Sequence, residues 1–199
     1  MPSPTERPRR RRSGTASSAA PAPADELRRS TALRTRIALY AAAATVLFVA
    51  ERALPNPVPW VRLGLANVVT LVALLEHGAA PAAAVVALRL LLGGFLTGGL
   101  FGPQFALAVC GATASWFIMA AGAWLGGRYW SPLGLSLLGA SAHAVAQLAV
   151  AGPLVAGGAS LWALLPLFLG LSTATGLVTG VAADALLRRL DVARAVPGP

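Results

Sequence analysis

Tyr129–Ala183 reads YWSPLGLSLLGASAHAVAQLAVAGPLVAGGASLWALLPLFLGLSTATGLVTGVAA and contains no Asp, Glu, Lys or Arg. Between Thr70 and Arg128, the only charged residues are Glu76 and Arg89. Of the 199 residues, 56% are hydrophobic and 12% are charged, which is about half the charged share of a soluble domain. Such a chain cannot cover its middle with a hydrated surface, so lipid must be its solvent.

Six apolar segments predict an all-α fold, a polytopic transmembrane helical bundle of about six spans. About 20 apolar residues are needed to cross a bilayer, so the first two segments are short and five spans is the main alternative. Pro55, Pro57 and Pro59 precede the second segment and forbid a regular helix there, which favours a partial span or a broken helix. The predicted segments are Thr35–Val49, Leu63–Leu75, Ala80–Leu100, Phe105–Leu125, Leu133–Val155 and Trp162–Leu187.

Charge divides the chain into three parts. We expect residues 1–33 to be a disordered Arg-rich tail, residues 34–190 the transmembrane domain and residues 191–199 a short C-terminal tail. All 16 basic residues are arginine, and seven lie in the first 29 residues. The positive-inside rule then predicts a multi-pass plasma-membrane protein with both termini in the cytoplasm. The net charge of +9 favours contact with an anionic membrane surface and argues against nucleic acid as a partner.

Arg89 lies in the middle of the third apolar segment, where a charge needs a partner or a water-filled cavity. One interpretation is a buried ion pair with Glu51 or Asp184. The other is an anion site, in which the guanidinium binds a phosphate or carboxylate through two hydrogen bonds.

Other polar residues lie toward the predicted outer half of the membrane domain. Arg62 and Asn67 begin the second segment, and His143 and Gln147 lie four residues apart on one face of the fifth helix. A histidine and an amide one turn apart suggest a small ligand pocket, and hydrogen bonding between helices is the alternative. Asp184, near the end of the last segment, is expected to cap the helix or pair with nearby arginines.

Recognisable enzyme signatures are missing from the chain. Its only aspartates are Asp25, Asp184 and Asp191, so no DDxxD motif exists to bind magnesium diphosphate. It contains no lysine and no Gly-x-Ser-x-Gly motif. Cys110 is the only cysteine, which excludes a disulfide framework and a cysteine-rich metal site. We therefore expect a protein that is not an enzyme and that has no cofactor and no metal.

Small residues recur at helix-packing spacing in three places. One stripe is formed by Gly94, Gly98 and Gly102, and another by Ser172, Gly176 and Gly180. The third, Ala38 and Ala42, lies on the first span, where it would pack inside the bundle or meet another subunit.

Three blocks of sequence resemble the Gx transporter family, whose members also carry the name heptaprenyl diphosphate synthase component I. They are Arg62-Leu-Gly-Leu-Ala-Asn67, Leu88-Arg-Leu-Leu-Leu-Gly93 and His143-x-x-x-Gln-Leu148. The resemblance covers about Ile37 to Leu187. This chain departs from the pattern at Ala144, where members often have asparagine, and the departure changes the polarity of the expected pocket.

The family is similar to the S components of energy-coupling-factor transporters, which bind a small molecule within six membrane helices. The resemblance implies ligand-binding roles for Arg62, Asn67, Arg89, His143 and Gln147. It also implies a transmembrane coupling subunit and ATPases as partners, with Ala38 and Ala42 at the interface.

Three functions remain open on the sequence. The leading one is an S-component-like, substrate-binding membrane subunit of a transporter for an anionic or amphipathic small molecule. The second is a non-catalytic membrane accessory subunit of polyprenyl diphosphate synthesis. The third is a scaffold without a ligand, in which the polar residues only join helices.

Overall fold

The computed structural model describes residues 23–53, 64–126, 129–155 and 159–195. These residues form six α-helices and one 3₁₀ helix, with no β-strand among them. The predicted all-α membrane bundle is therefore confirmed. The helices are α1 (Pro23–Ala53), α2 (Leu65–His77), α3 (Ala79–Leu96), α4 (Pro103–Gly126), α5 (Pro132–Val155), the 3₁₀ helix Ala159–Leu164 and α6 (Leu165–Ala195).

Each of the six predicted apolar segments corresponds to one helix. Five helices are long and apolar enough to cross a membrane, and α2 is the shorter exception. With 13 residues, α2 is about 20 Å long, whereas the hydrocarbon core of a bilayer is about 30 Å thick. This length agrees with the prediction of a partial second span. The three prolines predicted to break the chain before it lie outside the described residues.

The helices at the two ends of the chain are longer than the sequence predicted. α1 begins at Pro23 and therefore includes residues 23–33 of the predicted tail. Proline at the first helical position, with Asp25 and Glu26 in the first turn, favours a helix start there. α6 continues to Ala195, so it includes the first part of the predicted C-terminal tail. Residues before 23 and after 195 lie outside the described residues.

The short helix α2 lies at the centre of the bundle and contacts each of the other five α-helices. Its side chains are buried without a break from Val68 to Leu74. Leu71 and Val72 pack there with Met119 of α4 and Leu135 of α5, all of them almost inaccessible to solvent. Such a helix needs apolar residues on every side, which explains why Thr70 is the one polar residue in this run, where its hydroxyl donates to the backbone oxygen of Ala66.

Glycines determine how closely α5 and α6 approach each other. A Cβ atom added at Gly180 would lie 2.8 Å from the Cα of Leu133, and one at Gly176 would lie 3.1 Å from the Cβ of Ala140. The Ser172, Gly176 and Gly180 stripe therefore packs inside the bundle. The prediction that Gly94, Gly98 and Gly102 form a packing stripe on one helix is wrong. The helix α3 ends at Leu96, and Gly98 lies in the following turn with a φ of 63°.

Two hydrogen bonds hold α1 and α2 antiparallel. The backbone N–H of Gly64, just before α2, donates to Oε1 of Glu51 near the end of α1, at 2.6 Å. Toward the other end of the pair, the hydroxyl of Tyr40 donates to Oε2 of Glu76 at 2.5 Å. The end of the bundle that contains Glu51 and Gly64 is therefore distant from the start of α1.

Candidate ligand-binding site

A cavity of about 110 Å³ lies among the six α-helices, each of which contributes to its wall. An apolar cavity of about 150 Å³ in another protein holds benzene, so this one has room for a small chemical group or several waters. We call it the polar cavity. Its wall contains Phe48, Glu51, Gly64, Ala66, Asn67, Arg89, Leu90, Ala108, Ala112, Ala140, His143, Ala144, Gln147, Phe168, Leu171, Ser172, Thr175 and Thr179.

The antiparallel order of the helices places the polar cavity toward one end of the bundle. α1 and α3 contribute residues from their C-terminal halves, whereas α2, α4 and α6 contribute residues from their N-terminal halves. The start of α1 and the end of α6 therefore lie at the opposite end. The exposed arginines of those two segments, among them Arg34 and Arg188, are on that opposite side.

Arg89 is buried in the wall of the polar cavity, with 6% of its surface exposed. It lies past the middle of α3, in a helix with no other charged residue. Glu51, 3% exposed, lines the same cavity. The alternative pairing of Arg89 with Asp184 is wrong, because Asp184 lies toward the opposite end of the bundle and accepts a hydrogen bond from Nε of Arg188 at 2.8 Å. Asp184 thus pairs with a nearby arginine, as predicted.

His143 and Gln147 share one face of α5, as the sequence predicted, and both line the polar cavity. That face lies against Gly111 of α4. A Cβ atom at Gly111 would be 2.8 Å from Nε2 of His143 and 2.9 Å from Cγ of Gln147. Glycine at this position is what allows the imidazole and the amide to lie against the α4 backbone.

Asn67 connects α2 to α4 at the cavity. Its Nδ2 lies 3.4 Å from Oγ of Ser115, a fully buried hydroxyl that the sequence analysis did not identify. Gly139 of α5 lies on the other side of that hydroxyl, and a Cβ added there would be 2.9 Å from it. Small residues on α5 therefore leave room for a polar contact between α2 and α4.

The local backbone conformation explains the glycine, Gly64, in the Arg62–Asn67 block. Gly64 has a φ of 74°, a left-handed conformation that residues with a Cβ rarely adopt. This turn directs the Gly64 N–H to Glu51 and begins α2 so that Asn67 reaches the cavity. The side chain of Arg62, in the same block, lies outside the described residues.

Hydroxyls on α6 form a further part of the wall that the sequence analysis missed. Ser172, Thr175 and Thr179 follow a three-then-four spacing, which places them on one helix face. Thr179 also forms a 2.6 Å hydrogen bond with the buried Ser136 of α5. The spacing is visible in the sequence, but there Ser172 predicts only a small-residue packing stripe.

The structure brings together four of the five predicted ligand-binding residues. Asn67, Arg89, His143 and Gln147 all line the polar cavity, and Arg62 is outside the described residues. Their role in binding remains a prediction. Ala38 and Ala42 lie on an exposed face of α1 and do not line this cavity. Within the part of the chain that the structure describes, no group of three His, Cys, Asp or Glu residues could hold a metal ion.

Comparison with known proteins gives one match. The family model for heptaprenyl diphosphate synthase component I matches residues 40–186, which include α2 to α5 in full, the second half of α1 and most of α6. No curated protein and no solved structure matches the chain. The predicted resemblance is confirmed, and the match covers well over half of the sequence. The chain is a multi-pass helical membrane protein that belongs to the heptaprenyl diphosphate synthase component I family.

Proposed function

We propose that this protein is the substrate-binding membrane subunit of a small-molecule transporter and works like an S component. The observation that carries the proposal is the polar cavity, which all six α-helices line and which contains the buried Arg89. Intramembrane ionisable residues are costly and tend to serve ligand or ion binding. A scaffold would have no need for a cavity that gathers a guanidinium, an imidazole, two amides and several hydroxyls.

The groups in the wall define the ligand class. The guanidinium of Arg89 favours a phosphate or a carboxylate, because its N–H donors match the geometry of those anions. Asn67, Gln147 and the α6 hydroxyls offer both donors and acceptors that would orient the rest of a polar head group. The proposed ligand is therefore a small anionic or amphipathic molecule.

The position of the cavity supports a direction for ligand capture. The arginines at the start of α1 and at the end of α6 lie at the end opposite the cavity, and the positive-inside rule assigns that end to the cytoplasm. The polar cavity would then take its ligand from the outer side of the plasma membrane, with both chain termini in the cytoplasm.

An exposed face of α1 is the proposed contact with a coupling subunit. Ala38 and Ala42 are exposed there one turn apart, and small residues allow helices to approach closely. A transmembrane partner bound at this face, together with ATPases, would supply the energy for release of the ligand. The chain itself is proposed to have no catalytic role, since its three aspartates are dispersed in the sequence.

A second function is favoured by two observations. The family description refers to a component of heptaprenyl diphosphate synthase, and an apolar groove lies beside the polar cavity between α3 and α4. A membrane accessory subunit of polyprenyl diphosphate synthesis would use these two sites for the diphosphate and the chain of its product.

Native mass spectrometry of the protein extracted from its own membrane tests both functions. A bound small anion, together with a membrane partner and ATPases, is the result we expect. Co-purification with a soluble prenyltransferase and a prenyl diphosphate would replace the transporter proposal with the accessory one. A well-folded protein with neither ligand nor partner would contradict both.

The α1 interface has its own test. We expect replacement of both Ala38 and Ala42 with tryptophan to remove the membrane partner and leave the bound ligand in place. The matched control is Ala174→Trp, since Ala174 is an exposed alanine on α6. Equal loss of the partner in the control would show that bulk anywhere on the lipid-facing surface disrupts the complex.

A further inference from the structure

The polar cavity contains a buried carboxylate as well as a buried guanidinium. Glu51 of α1 and Arg89 of α3 both line it, and they are 3% and 6% exposed. Among the described side chains of the wall, His143 is the one other ionisable group. With a neutral imidazole, the formal charges of these three groups therefore sum to zero.

Glu51 lies at a position that stabilises a negative charge. Its Oε1 accepts the backbone N–H of Gly64 at 2.6 Å, which is shorter than the usual value of about 2.9 Å for such bonds. Gly64 is the N-cap of α2, so the carboxylate lies at the positive end of the dipole of that helix. A carboxylate accepts up to about four hydrogen bonds, and the bond from Gly64 alone does not saturate it. Glu51 is therefore suited to bind a positively charged donor.

The carboxylate and the guanidinium belong to different levels of the bundle. α1 and α3 run in the same direction and reach the cavity with their C-terminal halves. The ring of Phe48 packs on Gly93, since a Cβ atom added at Gly93 would lie 2.5 Å from its Cδ1. Glu51 follows Phe48 by about one turn, and Arg89 precedes Gly93 by about one turn. The two backbones are thus roughly 10 Å apart along the helix axes, and Arg89 is the deeper of the two.

Charge balance sets what a ligand must bring to this cavity. An anionic group bound to Arg89 uses the positive charge that balances Glu51. In a region of low dielectric constant, the negative charge that remains costs far more than it would in water. A protonated amine on the same ligand restores the balance, and its three N–H donors match the carboxylate.

We propose that the ligand carries a positively charged amine in addition to its anionic group, with the amine at Glu51 and the phosphate or carboxylate at Arg89. This inference rests on the proposed ligand-binding function of the cavity. The different levels of the two side chains orient the ligand, so that its anionic group enters first and its amine lies closer to the cavity end of the bundle.

Binding of two phosphate esters to the full-length protein in lipid nanodiscs tests the inference. The probes are 3-aminopropyl phosphate and butyl phosphate, which have nearly the same length and differ in an ammonium or a methyl group at the chain end. We expect the dissociation constant of the aminopropyl probe to be about tenfold lower, at the low end of what close charge pairs contribute at an interface. Isothermal titration measures both constants.

Glu51→Gln should change the two affinities in opposite directions. It removes the negative charge and retains an oxygen for the Gly64 N–H. The aminopropyl probe should bind more weakly and the butyl probe more tightly, so that the two dissociation constants become about equal. A general disturbance of the fold would weaken both probes and cannot produce this crossing.

Glu76→Gln is the matched control. Glu76 accepts a hydrogen bond from Tyr40 toward the other end of the α1–α2 pair and does not line the polar cavity. The same change of charge there should leave the preference for the aminopropyl probe in place. Loss of the preference in both variants would overturn the assignment of the amine to Glu51.

The remaining outcomes separate the inference from the proposed function. Equal binding of the two probes to the wild-type protein would overturn the amine and leave the anion site standing. Butyl phosphate binding that tightens about tenfold for each unit by which the pH falls, without a preference for the amine, would assign the positive charge to a proton and also overturn it. Failure of both probes to bind a well-folded wild-type protein would overturn the inference together with the anion site.

Discussion

The two ends of the bundle use the same six helices for different purposes. Toward one end, polar side chains surround the cavity that contains Arg89 and His143. In the interior beyond it, Leu71, Met119 and Leu135 fill the space between α2, α4 and α5, and each is at most 1% exposed. On the proposed function, binding and stability are separated along the helix axes of the bundle. Substitutions in the packed interior should therefore lower stability and leave ligand affinity largely intact, and substitutions at the cavity should do the reverse.

The largest effect is expected for Arg89→Ala. Removing the charged partner of a bound anion costs about 3 kcal/mol, so affinity for the native anionic ligand should fall by about a hundredfold. Isothermal titration in nanodiscs measures the change, and Arg89→Lys should recover part of it because the charge returns without the two-bond geometry.

The alternative role of Arg89, neutralising Glu51, has a separate test. Glu51→Gln retains an oxygen that can accept from the Gly64 N–H and removes the charge. If Arg89 serves only Glu51, the double variant with Arg89→Ala should be stable and bind ligand like the wild type. We expect the double variant to fold and still fail to bind.

A smaller effect, on stability alone, is expected for Leu71→Ala in the packed region. The cavity left behind should lower the free energy of unfolding by about 2 kcal/mol, the lower part of the usual range because helices in lipid gain little from the hydrophobic effect. Leu75→Ala, one turn along α2 and 37% exposed, is the matched control and should cost much less. Reversible unfolding in mixed micelles measures both. Loss of ligand affinity in the folded Leu71→Ala protein would contradict the separation of the two regions.

The smallest effect is expected for Gly111→Ala, which changes the shape of the polar cavity without altering its charge. The new methyl group would press on His143 and Gln147, and relieving that overlap should cost about 1 kcal/mol, or roughly fivefold in affinity. Gly170→Ala is the control, since a Cβ there meets nothing within 4 Å. Equal affinities in the two variants would show that the imidazole and amide do not position the ligand.

The sequence predicted the features that follow from periodicity and lipid as the solvent. The long apolar runs indicated the membrane helices, and four-residue spacing correctly placed His143 and Gln147 on one face. The sequence could not show that α3 ends before its apolar run does. A glycine such as Gly98 is compatible both with helix packing and with a turn of positive φ. The extension of α1 was missed although Pro23 and Asp25 carried a helix-start signal.

The missed cavity residues have a different physical cause. Serine and threonine in membrane helices commonly hydrogen-bond to their own backbone, as Thr179 does to the oxygen of Thr175. Their hydroxyls are therefore unremarkable in a sequence. Only the packing of α6 against α5 shows that Thr179 and Ser172 face a shared cavity.

The short length of α2 has an electrical consequence. The helix covers about 20 Å of a hydrocarbon core about 30 Å thick, and the polar cavity lies at its N-terminal end. Where solvent reaches that cavity, the membrane voltage falls over less than the full bilayer thickness. A bound anion then lies at the edge of the voltage drop, and moving one elementary charge through the whole drop is worth about 2.3 kcal/mol per 100 mV. Passage of a charged ligand from the cavity to the other side of the membrane would thus depend on the membrane potential.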